Sequence, residues 1–261
     1  MMTRANFLLT AALLTAASCS GDSTPTGAVG NSQTGSGSGG GNGAASANIA
    51  TSGNTTGSGA GTALNIALGY AKGVSQDELT KTISDLEGFG TRYTFSSGDE
   101  QAREYLVSRL AQYGLSAQLD PFTVQDVTAN NIIARKSGST TPEHVYIFSA
   151  HYDSTSDKAP VLAPGADDNA SGVAAVLEAA RLLESHSFES SLWFVFTAAE
   201  EQGSLGSAHM ASWLKAQSID VRGVIAPDMI GYWPLGDKDA MDILGDDGSV
   251  ALTEQMAAIV V

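Results

Sequence analysis

Apolar and polar positions along this chain follow two rhythms. Segments 145–150, 192–197 and 221–226 are short and almost continuously apolar. Such runs read as strands buried on both faces, as in a parallel sheet covered by helices. Other stretches repeat with helical spacing. Leu79, Ile83 and Leu86 follow a capping box of Ser75 and Glu78, and that helix stops near Gly88. Ala102, Leu106, Leu110 and Tyr113 mark a second helix over 99–113, ended by Gly114. Strands are expected at 116–124, 128–134, 145–150, 192–199, 221–226 and, briefly, 241–244. Helices are expected at 171–183, 207–216 and from 250 onward, with a long loop at 152–167. Strands alternating with helices predict an α/β fold, a three-layer sandwich around a central mixed, mostly parallel sheet.

The first quarter of the chain has neither rhythm. Arg4, the apolar run 7–14 and the small residues behind it have the order of a secretory signal over 1–18. That run is too short to span a bilayer as a helix. Cys19, the single cysteine, follows Ala16-Ala17-Ser18 and resembles the lipobox of bacterial lipoproteins, with Ala16 in place of the usual leucine. An incidental cysteine beside an ordinary cleavage site is the plainer alternative. Residues 19–63 are rich in Gly, Ser, Thr, Asn and Ala, too poor in apolar surface to offset their ordering entropy, and read as a tether. The expected setting is therefore export, on the periplasmic or outer-surface side of a membrane through a lipid anchor, or otherwise secretion. The domain proper is 64–261. Its end, Ile259-Val260-Val261, falls inside an apolar segment without a capping signal, which predicts a C-terminally incomplete domain.

Composition narrows the partners. Twenty-eight acidic residues against 13 basic give a formal charge of −15, which argues against nucleic acid as a partner, since phosphate binding needs a basic face, and against anionic lipid surfaces. An acidic chain suits cations, although most such charge simply faces solvent.

Chemistry gathers where the apolar runs end. Open sheets of parallel strands bind ligands at their carboxyl ends. Here those ends carry His151 and Asp153, Glu200 and Glu201, and Asp228. Alone, His151-x-Asp153 also fits a structural histidine, and Asp228 after Pro227 also fits a turn. Asp167-Asp168, between Gly165 and the helix at 171, could complement the helix dipole or offer a carboxylate that bridges two cations. Glu200-Glu201 follows Trp-Phe-Val-Phe, where a solvated face is out of place. Adjacent side chains of extended chain point apart, so one glutamate could bind metal while the other serves as general base. His144, His186 and His209 read as structural.

Together these segments resemble the zinc aminopeptidases of the bacterial leucyl aminopeptidase and aminopeptidase S family. The motifs are Gly90-Thr-Arg92, Asn131-Ile-Ile-Ala134, His151-Tyr-Asp153-Ser154, the run Pro164 to Gly172, Phe196-Thr-Ala-Ala-Glu-Glu-Gln-Gly203 with Gly206-Ser207, and Pro227-Asp-Met229. The resemblance implies a phosphorylase/hydrolase-like zinc peptidase fold with two zinc ions. It implies that Asp168 bridges them, that His151 and Asp228 hold one, and that Glu201 holds the other. By the same likeness Glu200 is the general base, Asp153 orients His151, and the peptide bond after Asp168 is cis. The implied reaction removes N-terminal residues from peptides through a metal-bridging water. The family's second metal histidine lies in a late loop, and no histidine follows His209 here, so one site is fully liganded and the other has Asp168 and Glu201 alone. Tyr232 and Trp233 could line the substrate pocket or pack in the core. The alternatives are a glutaminyl cyclase-like single-zinc enzyme, a carboxypeptidase or deacylase relative, and an inactive, lipid-anchored peptide-binding protein.

Overall fold

The computed structural model describes residues 69–232 and 242–259. The expected export signal over 1–18, Cys19, the expected tether over 19–63, Trp233 and residue 241 lie outside the described residues.

Helix α1 (Gln76–Glu87) starts at Ser75, whose side chain accepts from the Glu78 amide. The next helix, α2 (Ser97–Gln112), begins two residues before the expected Asp99. Ser96 lies in extended backbone and accepts from the Asp99 amide, which fixes the start. Strands β1 (Ala117–Val124) and β2 (Val127–Lys136) pair antiparallel around Gln125 and Asp126, with φ of 47° and 66°. Two successive positive φ values give the turn a twist that matches its strands. Strand β3 (Thr141–His151) reaches four residues further back than the apolar run, and its register shifts between Thr141 and Val145 around Pro142. Helix α3 (Ala170–Leu183), strand β4 (Ser190–Thr197), helix α4 (Leu205–Ala216), strand β5 (Asp220–Ile225) and helix α5 (Val250–Ile259) complete the described elements. Residues 242–244 form no strand, contrary to expectation. Ile243 instead packs against the main core from irregular chain, so its apolar character reflects burial without a ladder.

The sheet has five strands in the order β1-β2-β4-β3-β5. β3 pairs parallel with both β4 and β5, while β2 pairs antiparallel with β1 and β4. Every strand except β2 therefore points the same way. Side chains alternate between two packed faces. Tyr146, Phe148, Phe194 and Phe196 meet Leu106, Leu110, Val173, Leu177 and Leu183 on the face covered by α1, α2 and α3. Val145, Ile147, Trp193 and Val195 meet Met210, Trp213 and Leu214 of α4 on the other. All eight residues of β4 are buried, which is why its sequence shows no polar alternation. Each of its large side chains contributes about 1.5–3 kcal/mol of transfer free energy.

This topology positions the site. β3 lies between β4 and β5 with all three parallel, so their carboxyl ends stand side by side, and His151 faces Thr197 across the ladder.

Candidate metal centre

His151 closes the central strand and is 5 % exposed. Its Nε2 is 3.2 Å from Asp168 Oδ1 and 3.7 Å from Asp228 Oδ1. His151, Asp168 and Glu201 bring one donor atom each within 4.8 Å of one another. Four side chains from four separate segments thus converge on one point at the carboxyl end of the sheet.

The segments are fastened to each other by buried polar groups. Asp153 is fully buried, and its carboxylate accepts from the amides of Glu200 at 3.1 Å and Glu201 at 3.2 Å and from Thr94 Oγ1 at 3.3 Å. The His151 ring places Nδ1 3.2 Å from the Asp153 carbonyl and 3.6 Å from its carboxylate. The main-chain oxygen therefore holds the ring more closely, while the carboxylate holds the Glu200–Glu201 turn. Ala199, just before that turn, has φ 56°, and Met229, just after Asp228, has φ 49°. Left-handed backbone at residues with a Cβ costs about 1–2 kcal/mol, and such strain collects at functional sites.

The two adjacent aspartates divide their work. Asp168 faces His151, across a cis bond to Asn169. Asp167 Oδ1 accepts from the amides of Gly231 at 2.7 Å and Tyr232 at 3.1 Å, so it holds the loop behind Asp228. Asn169 caps α3 by accepting from the Gly172 amide and donates to the Pro227 carbonyl at 3.1 Å. Gly172 permits this approach, since a Cβ there would lie 2.3 Å from both the Asn169 Oδ1 and the Pro227 carbonyl. Gly172→Ala is expected to lower stability by about 1–3 kcal/mol, measured by chemical denaturation. Tyr232 is 67 % exposed and packs in no core.

Charge at this point is high, with His151 buried and the Asp168 and Asp228 side chains about half exposed. Burial raises Glu201 to about 7, and the neighbouring carboxylates Asp168 and Asp153 add to the shift. Burial also raises Asp168, against the pull of His151 and with the push of Asp228. Burial alone would lower His151, but Asp153 and Asp228 outweigh it and drive the imidazole up to about 10. Glu201 Oε1 is buried with no hydrogen-bond partner among the described residues. A buried carboxylate oxygen without a donor, beside a second carboxylate and an imidazole nitrogen, fits a cation with oxygen and nitrogen ligands, and zinc takes that set.

Arg92, Thr94, Asn131 and Asn169 had no assigned role in the sequence reading. Arg92 is fully buried, and its guanidinium donates to the carbonyls of Tyr152 at 2.8 Å, Pro164 at 2.6 Å, Gly165 at 2.9 Å and Leu86 at 3.3 Å. Its trace in the sequence is the Gly90-Thr-Arg92 motif of the resemblance, which names the residue but not its contacts.

Residues 131–258 match the model of Peptidase family M28. The match runs from within β2 to within α5 and includes His151, Asp153, Asp168, Glu200, Glu201 and Asp228. A "probable zinc metalloprotease" of Pyrenophora teres f. teres is 34 % identical over 194 residues, covering 65 % of this chain and 39 % of the relative. The chain thus spans about two fifths of that relative's length. Among solved structures, the LapA aminopeptidase of Legionella pneumophila is similar with a TM-score of 0.53 at 25 % identity, covering 63 % of this chain and 45 % of that one. A glutaminyl cyclase of Bacteroides thetaiotaomicron shares the fold with a TM-score of 0.51 at 24 % identity, covering 60 % of this chain and 63 % of that one.

Proposed function

We propose that this domain is the metal-holding part of a zinc aminopeptidase of the bacterial leucyl aminopeptidase and aminopeptidase S kind. The observation that carries the reading is the convergence of His151, Asp168 and Glu201 within 4.8 Å, with Glu200 next to them on a turn pinned by Asp153. His151, Asp168 and Asp228 would hold one zinc ion, and Glu201 with Asp168 would offer oxygens to a second. Bound zinc would polarise the scissile carbonyl and make water more acidic. Glu200 takes the proton of the attacking water and passes it to the leaving amine. Asp153 keeps Glu200 and Glu201 in register with His151. Carboxylates around the centre attract the free amine of a peptide N-terminus, which favours removal of terminal residues over internal cleavage. The proposed setting is outside the cytoplasm, tethered through residues 19–63.

The test uses the protein, chelated and then reloaded with zinc, on three substrates: an aminoacyl anilide, its N-acetylated form and a peptide beginning with glutamine. Cleavage of the free anilide alone supports the reading. Pyroglutamyl product from the third substrate would replace it with a cyclase, and peptide binding without turnover would replace it with a binding protein.

Metal uptake should also be pH-dependent. Both His151, at about 10, and Glu201, at about 7, favour their protonated forms in the metal-free protein. Zinc needs them deprotonated, so raising pH strengthens binding. The ion held by His151 should bind about tenfold more tightly per pH unit up to about pH 10, and the ion held by Glu201 about tenfold per unit up to about pH 7, so uptake of the second ion levels off first. Calorimetry in buffers of different ionisation enthalpy measures this directly. A pH-independent affinity would remove these two groups from the ligand set.

A further inference from the structure

The turn that carries Glu200 and Glu201 is closed on itself by Leu205 N–H to the Ala199 carbonyl at 3.0 Å and Gly206 N–H to the Ala198 carbonyl at 3.1 Å. Asn131, fully buried on β2, fastens that closed turn to the sheet. Its Oδ1 accepts from the Ala198 amide at 3.1 Å, and its Nδ2 donates to the Gly206 carbonyl at 3.0 Å. The same Nδ2 donates to Asp120 Oδ2 at 3.2 Å, across the β1–β2 pair Asp120↔Asn131. Asp120 Oδ1 in turn lies 3.2 Å from His209 Nε2 on α4. A carboxylate only accepts, so Nε2 carries the proton and donates. The imidazole also stacks on Phe122, ring centres 5.2 Å apart at 19°. A continuous polar chain therefore runs from a one-third-exposed histidine to the main chain two residues before Glu200.

We propose that His209, acting through Asp120 and Asn131, is a positioning residue for the Glu200–Glu201 turn. The physical reason is orientation. Asn131 can present its oxygen to Ala198 only while its amide nitrogen is held by acceptors on the opposite side. Asp120 is one of those acceptors, and the His209 N–H fixes where its carboxylate points. A carboxylate freed from His209 turns toward water, and the amide keeps the Gly206 carbonyl but loses the second of its two acceptors, so its rotation is less firmly set. Small misplacements of a reacting group carry large kinetic costs, because turnover depends on near-attack geometry. The inference rests on Glu200 being the general base.

Two replacements of His209 separate this role from packing. His209→Phe keeps a ring for Phe122 and removes the N–H. His209→Gln gives up the ring and restores an N–H donor toward Asp120. The zinc-loaded variants are compared for kcat and KM, for zinc content, and for amide hydrogen exchange over residues 198–206. The expected result is a kcat about tenfold lower in His209→Phe, with KM and zinc content unchanged and faster exchange at Ala198, and recovery of both in His209→Gln. Phe at wild-type kcat and protection, or Gln impaired as much as Phe, would overturn the proposal. Exchange at Ala198 is read without turnover. If the wild-type protein cleaves no substrate, the aminopeptidase reading falls while the exchange comparison still decides the role of His209.

Discussion

Glu200→Gln is expected to keep its zinc and lose turnover by about 10²–10⁴-fold. The glutamate's amide is held by Asp153 Oδ1 at 3.1 Å, and its Oε1 accepts from Ser204 Oγ at 3.0 Å. An amide of the same shape keeps an oxygen for Ser204 and leaves the main-chain bond untouched, so the turn stays in place. It cannot take a proton from water at neutral pH. Glu201→Gln gives the contrasting result. Glu201 Oε1 is the buried oxygen without a partner, and the neutral amide there removes charge from the metal side. That variant should lose zinc as well as activity. Metal analysis of both proteins alongside kcat separates the two glutamates. Zinc loss in Glu200→Gln, or full zinc in an inactive Glu201→Gln, would exchange or abolish the assignments.

The largest loss of stability is expected from Arg92→Met, about 3–5 kcal/mol by chemical denaturation. Burial lowers this guanidinium to about 10, against the pull of Asp153, Asp168 and Glu201, so it remains charged at neutral pH. Methionine fills part of the space but leaves the carbonyls of Tyr152, Pro164 and Gly165 without their buried donor. Each unmatched carbonyl costs about 1–3 kcal/mol where water does not replace the donor. Gly165 O and Pro164 O belong to the loop that delivers Asp168, so zinc affinity should fall together with stability. A variant that unfolds like the native protein would show that water replaces the guanidinium.

The elements legible in the sequence are those whose burial follows a period. The runs at 145 and 192 became adjacent parallel strands because nearly every position in them packs on one of two covered faces; the run at 221, expected to be buried on both faces, is instead an edge strand that pairs with β3 and leaves Asp220, Arg222 and Val224 exposed. His151, Glu201 and Asp228 were legible as polar residues at the ends of such runs and Asp168 as an acid just ahead of a helix, and the structure brings the four to one point. The contacts that were not legible are single polar groups meeting remote main chain. Nothing in the spacing of Arg92 indicates that it donates to carbonyls some 60–73 residues away. Asn131 binding Ala198, and Asn169 binding Pro227, leave no more trace. The β1–β2 turn carries Gln125 and Asp126 without glycine, so two strands were visible but not their hairpin. At 241–244 the apolar residues suggested a strand, whereas Ile243 is buried from irregular chain.

The place of β4 has a consequence for how the chain matures. Strands β2 and β3 follow each other in sequence but never pair; β4 lies between them. As the polypeptide lengthens from its N-terminus, the β1–β2 hairpin and β3 each present an unpaired edge until residues 190–197 arrive. Those residues are the most thoroughly buried strand of the sheet. Pairing across such sequence separations is slow, and unpaired edges invite association between chains. The wholly buried strand is thus a late keystone: before it enters, the described sheet consists of two separate pieces, and no part of the chain can bring His151 and Glu201 together.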